Sequence, residues 1–214
     1  MKKTLTLLLL SGFLLSNAQT KPRFGLKAGL NMSKLSVTGV NPSPDITYKP
    51  GFHIGGFLAA PIGAKMEFHP EILYSNQGYE FEASNGASRL KMTGNINYLA
   101  VPAMFFYYPT AKFDIEFGPQ LSFLMSHKAK VSYSSFDPAE VSFSDVEVDL
   151  KDATQSIEVG MNIGVGYKIN HNVSLSGRYN FGISTVNKKA ESGPDQDEED
   201  RNSVFQFSLN YLFN

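Results

Sequence analysis

From Phe205 to Phe213 every second residue is large and apolar: Phe205, Phe207, Leu209, Tyr211 and Phe213, with Gln206, Ser208 and Asn210 between them. Side chains two apart share one face of a β-strand, so this stretch reads as a strand with one apolar and one polar side. Seven earlier stretches repeat the pattern, over residues 24–35, 51–60, 65–77, 95–107, 113–126, 156–168 and 173–184. In the first, Phe24, Leu26, Ala28, Leu30 and Met32 oppose Gly25, Lys27, Gly29, Asn31 and Ser33. In the fifth, Phe113, Ile115, Phe117, Leu121, Phe123 and Met125 oppose Asp114, Glu116, Gly118, Gln120 and Ser122. The fourth is apolar on both sides and has no clear parity. Eight strands with turn residues between them predict an all-β fold.

The connections alternate in length. Residues 61–64, 108–112 and 169–172 are tight turns, whereas 36–50, 78–94, 127–155 and 185–202 read as long polar loops. Short turns on one rim and long loops on the other predict an eight-stranded antiparallel up-and-down transmembrane β-barrel, with short periplasmic turns, long extracellular loops and both termini periplasmic. A soluble β-sandwich or lipocalin-like barrel also alternates. Its outer face would carry Lys, Glu and Thr, however, whereas the polar face here carries glycines and isolated charges, as a crowded polar interior would. Residues 128–150 extend strands five and six beyond the membrane, or else insert a hairpin that makes ten strands. Hydrocarbon offers no hydrogen-bond partner, so a sheet that spans it must close on itself.

Composition narrows the function classes. Seventeen Phe and ten Tyr occur without a Trp, and Cys is absent, which excludes disulfides, thiolate metal sites and cysteine nucleophiles. Nineteen basic residues against 20 acidic ones leave no basic surplus for nucleic acid. At the N-terminus Lys2 and Lys3 precede the apolar run LTLLLLSGFLL and then Ser16, Asn17 and Ala18. This is the pattern of an export signal cleaved between Ala18 and Gln19. The expected organisation is a signal peptide over 1–18 and one barrel domain over 19–214, with no peptidoglycan-binding domain after it.

The motifs GLKAGLNMS, PEILYSNQG, YLAVP, FGPQLSFLM and RYNFGIS, in this order over the mature chain, resemble the PorT-like outer-membrane β-barrel domain of Gram-negative bacteria. Ala100 departs from that resemblance, since such domains often carry an acidic residue there. The resemblance implies an eight-stranded membrane barrel and no particular activity. The closing strand, with Phe207, Leu209, Tyr211 and Phe213, resembles the signal read by the barrel assembly machinery.

With this parity Lys27, Lys65 and Arg178 face inward together with Glu67, Glu71, Asp114, Glu116 and Glu158, joined by His53 and His69. Charges in a narrow lumen must pair, so this set is expected to act as a plug. His53 falls near Glu71 if the first hairpin closes in simple register, which gives two parts of a hydrolase triad without a serine. His127 and His171 fall in a loop and a turn. No His pair has metal-ligand spacing, and no catalytic residue or cofactor is expected. The acidic run Asp195, Gln196, Asp197, Glu198, Glu199 and Asp200 lacks the glycine turn and final Glu of a calcium loop and reads as solvated. The expected partners are outer-membrane lipid, the assembly machinery and an extracellular partner at the loops. A small-solute transporter or a lipid-modifying hydrolase is the alternative.

Overall fold

A computed structural model describes residues 21–38, 46–84, 88–137, 140–187 and 199–213. The signal-peptide expectation over 1–18 therefore lies outside the described residues. In chain order the strands are β1 (Arg23–Thr38), β2 (Ile46–Thr47), β3 (Lys49–Gly63), β4 (Met66–Ser84), β5 (Ser88–Tyr107), β6 (Phe113–Asp137), β7 (Glu140–Asp149), β8 (Ile157–Lys168), β9 (Val173–Gly182) and β10 (Glu199–Leu212). A 3-10 turn, Lys151–Ala153, separates β7 from β8.

Eight of these strands form a closed antiparallel ring. Going round it, β4 pairs β3, β3 pairs β1, β1 pairs β10, then β9, β8, β6 and β5 follow, and β5 returns to β4. The first and last strands make the seam, in register from Gly25 opposite Leu212 to Thr38 opposite Glu199. Phe213 N adds one more bond, donating to Phe24 O at 2.9 Å. Every ring strand thus has a partner on both sides, as hydrocarbon requires.

Alternation in the ring strands follows the parity read from the sequence. Leu30, Ile54, Ile72, Leu121, Ile163, Leu175 and Leu209 are exposed on the outer face, while Lys27, His53, Glu71, Ser122, Asn162, Arg178 and Asn210 are buried within. The ambiguous fourth stretch resolves in β5: Ile96, Tyr98, Ala100, Met104 and Phe106 are buried inward, while Leu99 and Tyr107 lie outside. Ala100, where an acidic residue was the alternative, packs into the lumen. At the short-turn end an outer aromatic belt runs through Phe24, Tyr107, Phe113, Tyr167, Tyr211 and Phe213. Phe24 and Phe213 stack across the seam at 5.8 Å. Phe205, Tyr48 and Tyr179 cluster further up the outside. From Phe205 to Phe213 is about 27 Å of strand, enough when tilted to cross most of a bilayer's apolar band.

Three expectations are corrected. Residues 78–84 and 88–94 are strand and not loop, because β4 and β5 continue as a paired ladder out to Ser84 opposite Arg89. Residues 128–150 insert no strands into the ring and extend strand five as read, but not strand six, β8. β6 runs on to Asp137, and β7 folds back on it alone, Lys128 opposite Asp149. The interior is also not polar throughout. Leu35, Tyr79, Ile96, Tyr98 and Val186 form an apolar cluster at the long-loop end, with Leu124, Met92 and Ile46 against it. Beyond the bilayer the outer face meets water, so there the inner face is where apolar side chains are buried. On β6 a register shift also changes which residues face inward. Asn97 faces Ser126 but Tyr98 faces Leu124, so Met125 is an extra residue, and the inward set passes from Gln120 and Ser122 to His127 and Ala129.

Glycines make room for the interior. Gly25 lies opposite Phe57, Gly94 opposite Tyr79, Gly164 opposite Glu116 and Gly166 opposite Asp114. A Cβ on these glycines would come within 2.2, 2.3, 2.8 and 2.4 Å of the facing side chain, in that order. An eight-stranded interior is only as wide as its side chains, so one large group per pair is all that fits. Gly94→Val is expected to lower stability by about 1–3 kcal/mol through overpacking. Gly177→Ala, where the nearest atom is 4.0 Å away, should stay within about 0.5 kcal/mol. Urea titration of both variants in lipid vesicles measures the difference, and equal midpoints would refute the packing role.

Candidate functional site in the lumen

The middle of the ring is crossed by two cations and two carboxylates from four strands. Lys27 on β1 donates from Nζ to Glu71 Oε1 on β4 at 2.8 Å. Arg178 on β9 donates its two terminal nitrogens to the two oxygens of Glu71 at 3.1 and 2.9 Å. Its Nη2 also donates to Glu116 Oε2 on β6 at 2.7 Å. None of the four is more than 4% exposed. The planar guanidinium fork suits this double task, which a lysine could not perform.

The inward parity places the other sequence candidates at different heights, so the eight charges do not form one network. Lys65 is corrected outright: it sits in the turn between β3 and β4 and is exposed, because β4 begins one residue after it. Glu67 lies at the short-turn mouth. It accepts from His69 Nε2 at 2.8 Å and from Tyr108 Oη at 2.9 Å, with Arg23 at 3.7 Å. His69 is sandwiched between the rings of Phe57 and Phe106, at 5.3 and 4.0 Å. Asp114 is buried over Gly166 near the same mouth. Glu158 is buried towards the other end, where it accepts from Asn202 Nδ2 at 2.8 Å.

His53 does not pair with Glu71. The β3–β4 register sets Phe57 opposite Glu71 and His53 opposite Ser75. His53 Nδ1 instead donates to Asn31 Oδ1 at 2.8 Å, and its Nε2 accepts from Ser208 Oγ at 2.9 Å. That tautomer is assigned from Asn31, whose amide nitrogen donates to Phe52 O and Asn76 O at 3.0 and 2.8 Å. Sequence reasoning missed Asn31 and Ser208, since their adjacency to His53 comes from the seam register of three strands. It also missed an amide ladder in which Asn180 Nδ2 donates to Asn162 Oδ1 at 3.0 Å and Asn162 Nδ2 to Gln120 Oε1 at 3.2 Å.

His127, read from the sequence as a loop residue, lies on the β6 extension. Its Nδ1 is 2.7 Å from Thr154 Oγ1, and its Nε2 is 3.4 Å from Tyr79 Oη. His171 is in the exposed turn between β8 and β9. Of the acidic run, 195–198 lies outside the described residues, whereas Asp200 accepts from the backbone and side chain of Asn187. On the projecting β6–β7 hairpin, Lys128 pairs diagonally with Glu147 and Lys130 with Asp145, both at 2.8 Å. The hydrogen bond from Lys130, then that from Ser132, holds the Asp145 carboxyl below its ordinary range. That pair therefore favours the hairpin above the usual aspartate range and fades as pH falls through it. Phe207, Leu209, Tyr211 and Phe213 all project outward from β10 and the residue after it.

A closed antiparallel ring with an apolar outside and a charged, hydrogen-bonded inside defines a class, the β-barrel of outer membranes. Residues 17–187 match the family described as the outer membrane protein beta-barrel domain, and the chain belongs to that family. The family places it in the outer membrane. Among solved structures the chain is similar to Neisserial surface protein A at 18% identity, covering 91% of this chain and 100% of the other, with a TM-score of 0.47. It is similar to the attachment invasion locus protein of Yersinia pestis at 11% identity over 91% and 100%, TM-score 0.44. It is also similar to the outer membrane protease OmpT of Escherichia coli at 11% identity over 92% and 100%, TM-score 0.47. No curated protein matches the sequence.

Proposed function

We propose that this chain is a closed, non-catalytic barrel of the PorT-like branch, with both termini in the periplasm and its long hairpins outside the cell. It stabilises the outer membrane as an integral wall element, and the hairpins meet an external partner. The assembly machinery reads its closing strand, where Phe207, Leu209, Tyr211 and Phe213 present an unbroken apolar edge to lipid. One observation carries the closed lumen: Arg178 ties Glu71 to Glu116 and, through Glu71, to Lys27, so side chains from four strands meet across the interior. Porin-like conduction needs about 16–18 strands. Purified protein in planar bilayers is expected to give no stable large conductance, and a steady ion-selective current of porin size would overturn the closed lumen.

The hydrolase alternative has its own observation, the Ser208–His53–Asn31 relay, which arranges a hydroxyl, an imidazole and an orienting amide in hydrogen-bond reach. All three are under 8% exposed within the lumen, which supports a structural role for them. A fluorophosphonate probe is expected to leave Ser208 unmodified. Stoichiometric labelling lost in His53→Ala would favour the enzyme.

A further inference from the structure

At the short-turn end the lumen widens into a cavity of about 610 Å³. Two acceptors on its wall are unmet. Asp114 Oδ1 on β6 and Asn210 Oδ1 on β10 have no hydrogen-bond partner among the described residues, and the two residues are 3% and 8% exposed. Asn210 spends its amide hydrogens on Ser174 and Ser176. The other charges at this level are served, Glu67 by His69, Tyr108 and Arg23, and Lys27 by Glu71. The unmet demand of the cavity is thus for donors, and an acceptor buried without one is costly.

The space in front of Asp114 is kept open by its cross-strand partner. Gly166 lies opposite it, and a Cβ there would stand 2.4 Å from the carboxylate. Nearer the rim the charge changes sign. Lys112 and Lys168 line the same cavity and sit side by side, Lys168 N donating to Lys112 O at 2.7 Å. Lys168 on β8 and Lys112, in the turn just before β6, are each two residues along the chain from the Asp114–Gly166 pair, about 7 Å of backbone rise, and the Lys168 ammonium lies 3.7 Å from the centre of the Tyr108 ring. Phe57 and Phe106 supply an apolar wall.

A carboxylate deep in the cavity and two lysines rooted about 7 Å of backbone rise nearer the mouth are complementary to a zwitterion whose charged ends are one peptide unit apart. We propose that this cavity binds a short peptide with free termini. Its N-terminal ammonium donates to Asp114 and Asn210, its carboxylate meets Lys112 and Lys168, and an apolar side chain lies against Phe57 and Phe106. On the orientation proposed above, the mouth opens to the periplasm. The binding chemistry itself does not depend on that orientation or on the closed lumen.

The test is calorimetric titration of the purified full barrel in detergent micelles at pH 7, with the dipeptide Phe-Ala, its N-acetyl form, its C-terminal amide, and propylamine. Saturable binding of Phe-Ala is expected, at least about tenfold weaker after N-acetylation or in Asp114→Asn, since each removes a charge-assisted hydrogen bond. Amidation should weaken binding to the native chain but not to a Lys112→Ser, Lys168→Ser double variant. No saturable binding, equal binding of the N-acetyl form, unchanged affinity in Asp114→Asn, or propylamine binding as tightly as the dipeptide would each overturn the proposal. The peptide series is read on the native chain and stands whichever way the variants fold. The bilayer recording separately decides whether the lumen is closed.

Discussion

Arg178→Met is expected to be among the most damaging single changes in this chain, costing about 3–5 kcal/mol where lumen water does not relieve it. The methionine fills similar space and removes the charge. Glu71 keeps Lys27 as a partner at 2.8 Å, but Glu116 loses its ion-pair partner, Arg178 at 2.7 Å. Glu116 is fully buried, and its second oxygen has no hydrogen-bond partner even in the intact protein. The damage therefore lies in the stranded carboxylate more than in the lost bond, since removing one member of a buried pair exposes the full desolvation cost of the other. Adding Glu116→Gln to Arg178→Met should recover a large part of the loss. Urea-dependent folding into lipid vesicles reads both effects. If Arg178→Met shifted stability by less than about 1 kcal/mol, or if the second change gave no recovery, the cross-lumen ties would have no bracing role.

Leu209→Arg, Leu121→Arg and Val159→Arg should each cost about 2–4 kcal/mol, because all three side chains are exposed on the outer face and would place a guanidinium in hydrocarbon. Leu209 sits between Ala28 and Leu175 on the neighbouring strands, with no polar group beside it to relieve the charge. The loss should shrink at Tyr211→Arg, in the aromatic belt, where a long side chain reaches the interface. Arginine at Ser122 or Asn162 tests the other face. Both are buried in the lumen, so the outcome there depends on local carboxylates and free volume. Equal tolerance of arginine at Leu121, Ser122, Val159, Asn162 and Leu209 in a reversible folding assay would contradict the assignment of inside and outside.

Much of the fold was legible because a strand writes its two faces into alternate positions. In β1, β6, β8 and β10 the apolar and polar sets could be assigned residue by residue. The tight turns at 108–112 and 169–172 marked one rim. The long-loop end was less legible. There the rule reverses outside the membrane, and one extra residue, Met125, switches the parity of β6; nothing in the local pattern at Ser122, Leu124 or Ser126 announces either event. The reading of 78–94 as a loop failed for a related reason, since Glu80, Glu82, Lys91 and Thr93 look like loop composition but form a water-facing ladder.

The candidate site divides in the same way. Sequence placed Lys27, Glu71, Glu116 and Arg178 on the inner face, and parity is a local property, so that placement needed only the strand period. Which carboxylate meets which cation was decided by the closing of the ring, because β1, β4, β6 and β9 approach only through register and curvature. His53 shows the limit most clearly. Hairpin register moved it away from Glu71, the β1–β3 ladder brought it Asn31 and the β1–β10 seam Ser208, partners 22 and 155 residues away in the chain. Sequence by itself determined the eight ring strands, most of their faces and, Lys65 apart, the charges of the interior. Tertiary structure decided the pairs, because an eight-stranded ring brings distant strands within hydrogen-bond reach across a lumen as narrow as its own side chains.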